Sequence, residues 1–345
     1  MAHPTFAARL KAAIAQDGPM RLDRFMAACN TQYYASRDPF GANGDFTTAP
    51  EISQAFGELI GLWAATVWRA MGSPEEFVLA ELGPGRGTLM ADLFRAARLV
   101  PGFIDAARPH LVETSRVLRR AQEAAVPHAA WHDTQATLPD GPAIIIANEF
   151  LDALPVRQFI RRGEAWTEIW VDARLTPIEE PVAPPPTVPD NTFQGDVVEF
   201  APARLELVTE LARRVARQGG AALLLDYGYN RPAPGSTLQA LRAHAPVDPF
   251  ATPGEADLTA HVDFAAIARA ATRAGAEAHG PVPQAAFLAA MGLAERTEAL
   301  ARANPGQAAD LREAARRLTA ATEMGLLFKA LAVCHPQLPV PPGFA

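Results

Sequence analysis

Three glycines at alternate positions follow an acidic residue in the first third of the chain. Gly83, Gly85 and Gly87 come just after Glu81, which lies near the end of an apolar segment beginning at Phe77. Glycine tolerates positive φ angles and lets the backbone approach a ligand closely. The first N–H groups of a following helix are free to bind an anionic group. The pattern therefore predicts a strand, a tight turn and a helix that together bind a small nucleotide-like ligand.

The acid and the glycine spacing distinguish two classes of cofactor. Dinucleotide-binding turns have the spacing Gly-x-Gly-x-x-Gly and carry a pyrophosphate, next to which a carboxylate would be unfavourable. Here the spacing is Gly-x-Gly-x-Gly. S-adenosylmethionine (SAM) has no pyrophosphate, and its ammonium group could pair with Glu81. The turn therefore favours SAM over NAD. The residues expected to contact SAM here are Glu81, Gly83, Pro84, Gly85 and Gly87.

Two further apolar segments end in polar side chains. Residues 109–115 predict a second strand that ends at Glu113, where folds of this kind place a carboxylate that binds the ribose. Residues 129–133 predict a short third strand, whose end could bring Trp131, His132 or Asp133 near the adenine. Glu113 and Asp133 are therefore further candidates for cofactor binding. A solvated strand end is the alternative in both cases.

The unbroken apolar run at residues 143–147 predicts a central parallel strand. Ligands bind beyond the carboxyl ends of such strands. The polar residues that follow, Asn148, Glu149 and Asp152, are therefore our first candidates for chemistry on an acceptor, and Asn148 is also a candidate for cofactor binding. The alternative is that Asn148 caps a helix and Glu149 is solvated.

Residues 33–53 are rich in aromatic, glycine and polar residues and show no clear period. A long loop is usually either disordered or functional, and its aromatic residues argue against disorder. We expect it to cover the active site, with structural wrapping as the alternative. Asp45 and Glu51 on this segment are our second choice of carboxylates that orient an acceptor. Pro50 predicts the start of a helix.

With 345 residues, the chain exceeds the size at which one core usually stops growing. We divide it into N-terminal helices and an active-site lid (1–72) and an α/β domain (73–345). Two insertions interrupt that domain, at about 156–200 and 229–263. In the first, residues 156–171 alternate as a β-hairpin does, and the proline-rich residues 176–190 predict an exposed loop. The second insertion is predicted to be irregular.

Composition and charge exclude several classes of protein. A net charge of −7 and a pI of about 5.7 argue against a nucleic-acid binder. There is no apolar run of the length that a membrane span needs. Cys29 and Cys334 lie far apart and outside any Cys-x-x-Cys pair, so we expect no metal site and a reducing, cytosolic environment. The frequent alanine, arginine and proline suggest a bacterium with a GC-rich genome.

Several blocks together resemble the MidA-like family, whose mitochondrial members are protein arginine methyltransferases that act in the assembly of respiratory complex I. The two most specific blocks are Glu-Leu-Gly-Pro-Gly-Arg-Gly (81–87) and Asn-Glu-Phe (148–150). The others are residues 44–54, 226–228, 257–264 and 324–325. They run in order over nearly the whole chain, and only residues 156–195 have no clear match. The resemblance implies a class I SAM-dependent methyltransferase fold, which is Rossmann-like, with an N-terminal helical segment and an inserted hairpin and loop region.

The same resemblance implies a substrate and a location. The acceptor would be an arginine on the 49 kDa or NuoD-type subunit of complex I, dimethylated symmetrically. A bacterial member would be cytoplasmic, and eukaryotic relatives would lie in the mitochondrial matrix. Two other functions remain open: a non-catalytic SAM-binding assembly factor and an NAD-dependent oxidoreductase. An exposed hairpin such as residues 156–171 would allow a homodimer.

Overall fold

The computed structural model describes residues 4–41 and 44–345, and the chain forms two compact units. The smaller unit combines three segments, Met1–Phe46, Asp152–Glu206 and Arg231–His261. The larger unit combines Thr47–Leu151, Leu207–Asn230 and Val262–Ala345. We had predicted that residues 1–72 belong together, whereas the structure divides them after Phe46.

In the described residues the strands, in chain order, are β1 (Met20–Arg21), β2 (Phe77–Leu82), β3 (Ala107–Val112), β4 (Ala130–His132), β5 (Ala143–Asn148), β6 (Arg157–Arg162), β7 (Ala165–Val171), β8 (Pro177–Val182), β9 (Val197–Phe200), β10 (Gly220–Tyr229), β11 (Gln239–Arg242), β12 (Ala245–Val247), β13 (Asp257–Thr259), β14 (Val262–Asp263), β15 (Glu277–Pro283) and β16 (Phe328–Cys334). The α-helices are α1 (Phe6–Asp17), α2 (Leu22–Ser36), α3 (Ala49–Ile52), α4 (Gln54–Ala70), α5 (Thr88–Ala97), α6 (Phe103–Ala106), α7 (Arg116–Ala125), α8 (Pro202–Gln218), α9 (Phe264–Arg273), α10 (Gln284–Ala290), α11 (Leu293–Ala303), α12 (Ala308–Thr319) and α13 (Met324–Leu327). Among these helices, none has both the length and the apolar composition of a membrane span.

The larger unit is built on a sheet with the strand order β15-β16-β10-β5-β2-β3-β4. The run from β10 to β4 is parallel, whereas β16 is antiparallel to both of its neighbours. The short strand β14 also pairs with β10. This is a Rossmann-like α/β sheet with one reversed strand near its edge, so the predicted fold class is confirmed.

The centre of this sheet follows from its composition. Every residue of β2 and of β5 is buried, and Ile144, Ile145 and Ile146 have no exposed surface. Strands covered on both faces require such continuous apolar runs. Because parallel strands end at the same edge, the residues that follow β2, β3 and β5 lie along one side of the sheet. That edge carries the predicted cofactor site.

The smaller unit contains two antiparallel sheets. One has the order β1-β7-β6-β9, with β8 also paired to β7, and the other has the order β12-β11-β13. The predicted hairpin at 156–171 is confirmed as β6 and β7. Phe159 and Trp166 of this hairpin pack with Val198 in a core cluster, whereas its turn at residues 162–165 is exposed. The dimer that we expected an exposed hairpin to allow stays a prediction.

Two regions predicted as loops contain strands. The proline-rich stretch 176–190 includes β8, in which Pro181 lies opposite Thr167 of β7. Proline is tolerated there because β8 is an edge strand and need not donate to a further neighbour. The stretch 230–263 includes β11, β12 and β13. In both regions the prolines favoured the prediction of a loop, although the strands pair with partners nearby in sequence.

Two helices also differ from prediction. The segment 33–53 is predicted as one loop, but helix α2 continues to Ser36, so Tyr33 and Tyr34 lie on a helix. The single helix expected from Pro50 is two helices, α3 and α4, interrupted at Ser53. The Ser53 hydroxyl accepts the Ala55 N–H and so caps α4.

Candidate active site

The turn between β2 and α5, residues 83–87, is called the glycine turn below. Gly83, Gly85 and Gly87 have φ angles of 62°, 54° and 83°. These left-handed values favour glycine. A Cβ atom on Gly83 would also lie 2.6 Å from the Phe150 ring. Gly87 precedes α5, and no side chain in residues 4–41 and 44–345 caps that helix, so its first N–H groups suit an anionic group of a ligand.

Glu81 is an unusual carboxyl group because it is buried and only partly hydrogen-bonded. It is 3% exposed, and its Oε2 atom has no hydrogen-bond partner among the described residues. Burial raises its pKa to about 8, against the opposing effect of a hydrogen bond from the Met90 N–H. A buried acid of this kind is suited to a cationic ligand group, which would favour its charged form.

Glu113 follows β3 and is held on both oxygens. Its Oε1 atom accepts the Ser115 N–H at 2.6 Å, and its Oε2 atom accepts from Gln122 Nε2 at 3.4 Å. Burial raises its pKa, and these hydrogen bonds oppose that shift. The carboxylate is thereby fixed in orientation at the position where we predicted a ribose-binding group.

Sequence reasoning missed Gln122. It lies on α7, is fully buried, and also donates from Nε2 to the Gly85 carbonyl at 2.7 Å. Its Oε1 atom accepts the Trp131 Nε1–H at 2.9 Å. The available signal was a glutamine four residues after Leu118, on the apolar face of an amphipathic helix. A polar side chain there needs buried partners.

The end of β4 carries the remaining predicted cofactor residues. Trp131 and His132 are half-buried, whereas Asp133 is exposed and pairs with Arg119 at 2.6 Å. His132 Nε2 lies 2.9 Å from His110 Nδ1, so this pair needs at least one unprotonated nitrogen. Burial lowers the pKa of His110 to about 4 and lowers that of His132 as well.

Residues 148–151, called the β5 exit below, follow the central strand. Glu149 has a φ angle of 48°, which is strained for a side chain that is not glycine. Its N–H donates to the Leu225 carbonyl at 2.8 Å, and its Oε1 atom accepts the Ala49 N–H at 2.9 Å. Asn148 Nδ2 also approaches Glu149 Oε1, at 3.3 Å.

The same loop is held from the neighbouring strand by a carboxylate. Asp226 of β10 has no exposed surface. Its Oδ2 atom accepts the N–H groups of Phe150 and Leu151. The strained turn at the β5 exit is therefore fixed by its surroundings, as functional strain requires.

The part of the predicted lid in the larger unit, residues 47–53, is attached at two points. Ala49 donates to Glu149, as above. Glu51 accepts the Thr88 hydroxyl at 2.6 Å and lies 3.8 Å from an Arg86 nitrogen. This segment thus connects the start of α5 with the β5 exit, while its role as a cover stays a prediction.

Asp45 and Asp152, the other predicted acceptor carboxylates, belong to the smaller unit. Asp45 accepts the Tyr33 hydroxyl at 2.6 Å and the Ala243 N–H at 2.7 Å. The Asp152 side chain accepts the Ala153 N–H at 2.8 Å. Both carboxyl groups therefore have defined structural partners within that unit.

No group of three or more His, Cys, Asp or Glu side chains in residues 4–41 and 44–345 could hold a metal ion. Both cysteines are free and buried. The residues at the carboxyl edge of the large sheet are instead oxygen acceptors and helix N–H groups. They could bind an ammonium group, hydroxyl groups and a carboxylate.

Comparisons with known proteins agree with this geometry. A family model described as S-adenosyl-L-methionine-dependent methyltransferase matches residues 59–282. The mitochondrial protein arginine methyltransferase NDUFAF7 homolog of Drosophila melanogaster is 35% identical over 96% of this chain and 85% of its own. Human mitochondrial protein arginine methyltransferase NDUFAF7 is 34% identical over 83% of this chain and 73% of its own.

A solved structure is similar over almost the full length. It is a protein from Burkholderia thailandensis bound to S-adenosyl-homocysteine (SAH), with a TM-score of 0.84 and 26% identity. The similarity covers 99% of this chain and 97% of that one.

Proposed function

Because this chain belongs to the family of S-adenosyl-L-methionine-dependent methyltransferases, we propose that it methylates an arginine side chain of a protein substrate. The observation that carries the proposal is Glu149, a carboxylate held on a strained turn at the end of the central strand. The names of the mitochondrial relatives support the same acceptor chemistry.

The residues of the larger unit fit the cofactor group by group. The free oxygen of Glu81 suits the ammonium group, the first N–H groups of α5 suit the carboxylate, and Glu113 suits the ribose hydroxyls. Asn148 and Asp133 are additional candidates. When bound, SAM supplies an electrophilic methyl group on its sulfonium. The protein needs to position the acceptor in line with it.

An arginine acceptor sets a specific demand on the protein. Its guanidinium is protonated at all physiological pH values, with a pKa above about 12. A carboxylate can orient this group through a bidentate pair and draw off its charge as the nitrogen gains a methyl group and loses a proton. Glu149 would serve in this way, with Asn148 helping to orient its oxygen. Asp152 is a candidate for this role of equal rank with Glu149, and Asp45 and Glu51 are the second choice.

For the protein substrate we propose the NuoD-type subunit of respiratory complex I, in the bacterial cytoplasm. Support comes from the ordered blocks shared with the MidA-like family. Membership of a SAM-dependent family removes the NAD-dependent oxidoreductase. A non-catalytic assembly factor that retains SAM binding is the remaining alternative.

Mass spectrometry tests this proposal directly. The purified protein is incubated with SAM and the NuoD-type subunit, and the subunit is digested and searched for methylated arginine. We expect one arginine to gain methyl groups only when protein and SAM are both present. The subunit from cells lacking the protein should be unmodified at that residue. SAH binding without any methylation in either experiment would favour the non-catalytic assembly factor.

A homodimer stays a prediction. Light scattering during size-exclusion chromatography of the full chain gives the mass directly. A mass of one chain would exclude the dimer.

A further inference from the structure

The buried side chain of Gln122 forms hydrogen bonds with three elements of the predicted cofactor site. Its buried amide contacts the Gly85 carbonyl in the glycine turn, the Glu113 carboxylate after β3 and the Trp131 indole on β4. Its backbone also packs beside Gly87, since a Cβ atom there would lie 3.5 Å from the Gln122 Cα. One side chain therefore links the turn after β2, the residue after β3 and strand β4, which are adjacent in the sheet.

The chemistry of the partners fixes the amide orientation. An indole N–H can only donate, whereas a peptide carbonyl and a carboxylate can only accept. Gln122 must therefore direct its oxygen to Trp131 and its NH₂ group to Gly85 and Glu113. A glutamate lacks the donor, and a methionine of similar size lacks both functions. The contacts thus require an amide at residue 122.

We propose that Gln122 is a positioning residue for cofactor binding, which acts by fixing the Glu113 carboxylate and the backbone of the glycine turn. The proposal rests on the cofactor site assigned under the proposed function. Ser115 and Gln122 hold one carboxylate oxygen each, so the plane of the Glu113 carboxylate is set before a ligand arrives. The hydrogen bond from Gln122 also favours the charged form of Glu113, which is the better acceptor for hydroxyl groups.

The test compares Gln122→Glu with the wild type by calorimetric titration of SAH into the full chain. At about pH 8 the new carboxylate would face the Gly85 carbonyl and Glu113, and we expect SAH affinity to fall about 10- to 100-fold. When protonated, the glutamic acid regains an O–H donor in the same shape. The ratio of variant to wild-type affinity should therefore recover toward one as the pH is lowered to about 6.

A matched control and a second variant make the test specific. Gln135→Glu introduces the same chemical change at another Gln–Glu hydrogen bond of this unit, to Glu210, and should leave SAH affinity unchanged. Gln122→Met should lose affinity at every pH, with no recovery, because it has no proton to gain. Thermal unfolding of each variant confirms that it is folded at the temperature of the titration.

The other charged groups near residue 122 are the same in the variant and the wild type, so the ratio of their affinities isolates the substitution. Those groups are Glu113, Arg119, His132 and Asp133. A Gln122→Glu ratio that does not change with pH, or Gln122→Met binding like the wild type, would overturn the proposal. Wild-type protein that bound no SAH would overturn the cofactor site itself.

Discussion

Two regions of the large sheet hold carboxyl groups by different means. One is the cofactor edge, formed by the ends of β2, β3 and β4, and the other is the β5 exit. At the cofactor edge Glu81 and Glu113 are 3% and 8% exposed, and burial raises the pKa of both. At the β5 exit Glu149 is less buried, has a positive φ angle and accepts a backbone N–H.

The difference fits two tasks. At the cofactor edge a cationic ligand group would favour the charged form of the desolvated Glu81, while hydrogen bonds already favour the charged form of Glu113. A group that orients an acceptor must be in place before the acceptor arrives, and backbone strain held by neighbours achieves this. If the two regions act separately, substitutions at the cofactor edge should change binding and substitutions at the β5 exit should change transfer.

The largest expected effect is on the cofactor edge. Gly85→Val puts a β-branched residue at a φ angle of 54°, at a strain of about 1–2 kcal/mol, and also fills the space where a ligand approaches the backbone. We expect SAH affinity to fall by at least about 100-fold and methyl transfer to disappear. Gly72→Val is the control, because Gly72 has a φ angle of 86° with nothing within 4 Å. If Gly85→Val and Gly72→Val lost SAH affinity equally, backbone strain alone would explain the loss.

The next effect is on the β5 exit. Glu149→Gln keeps an oxygen that can accept the Ala49 N–H, so the strained loop should survive, but it removes the charge. We expect methyl transfer to fall by about 100-fold or more with SAH affinity unchanged. Glu123→Gln, an exposed change on α7, should have no effect. If Glu149→Gln kept wild-type methyl transfer, the carboxylate that orients the acceptor would lie elsewhere. If it lost SAH affinity together with methyl transfer, the two regions would not act separately.

A smaller effect should appear in the pH dependence of binding. The pKa of Glu81 is raised to about 8 in the free protein, and a bound ammonium group would lower it. Binding below about pH 8 should then release a proton, so SAH affinity should rise with pH between about 6 and 8, by up to tenfold per unit. Titrations in buffers of different ionisation enthalpy measure that proton. The SAH affinity of Glu81→Gln should depend little on pH. If its affinity rose with pH as steeply as that of the wild type, the proton released on binding would come from another group.

The strands and the turn of the cofactor edge could be predicted because their signals are local. Glu81 and the three glycines lie within seven residues, and the apolar runs of β2 and β5 identify themselves as buried strands. Strand ends then followed from the rule that parallel strands end at one edge. The same reasoning placed Glu113 and Asn148 at that edge, where the structure has them.

The features that were missed depend on contacts that the local sequence pattern does not show. Gln122 acts through Gly85, which is 37 residues away, and nothing local to α7 specifies that contact. Strand β8 forms because β7 offers it an edge, although its own prolines argue for a loop. Asp152 was predicted from its position after the central strand and Asp45 from the segment 33–53, and neither signal shows that both residues belong to the smaller unit.

The smallest expected effect is on the pH dependence of stability and comes from a buried base. Burial lowers the pKa of His110 to about 4, below its unfolded value of about 6.5, so the folded state binds fewer protons between these values. This contribution to stability is complete above about pH 6.5 and decreases as the pH falls, by about 1 kcal/mol between pH 6.5 and 5.5. In His110→Gln the free energy of unfolding, measured by urea denaturation, should vary less with pH over that interval. His128→Gln, at an exposed position, should keep the wild-type dependence. If the free energy of unfolding of His110→Gln varied with pH as in the wild type, desolvation would not lower the pKa of His110, although it raises the pKa of the acids at the cofactor edge.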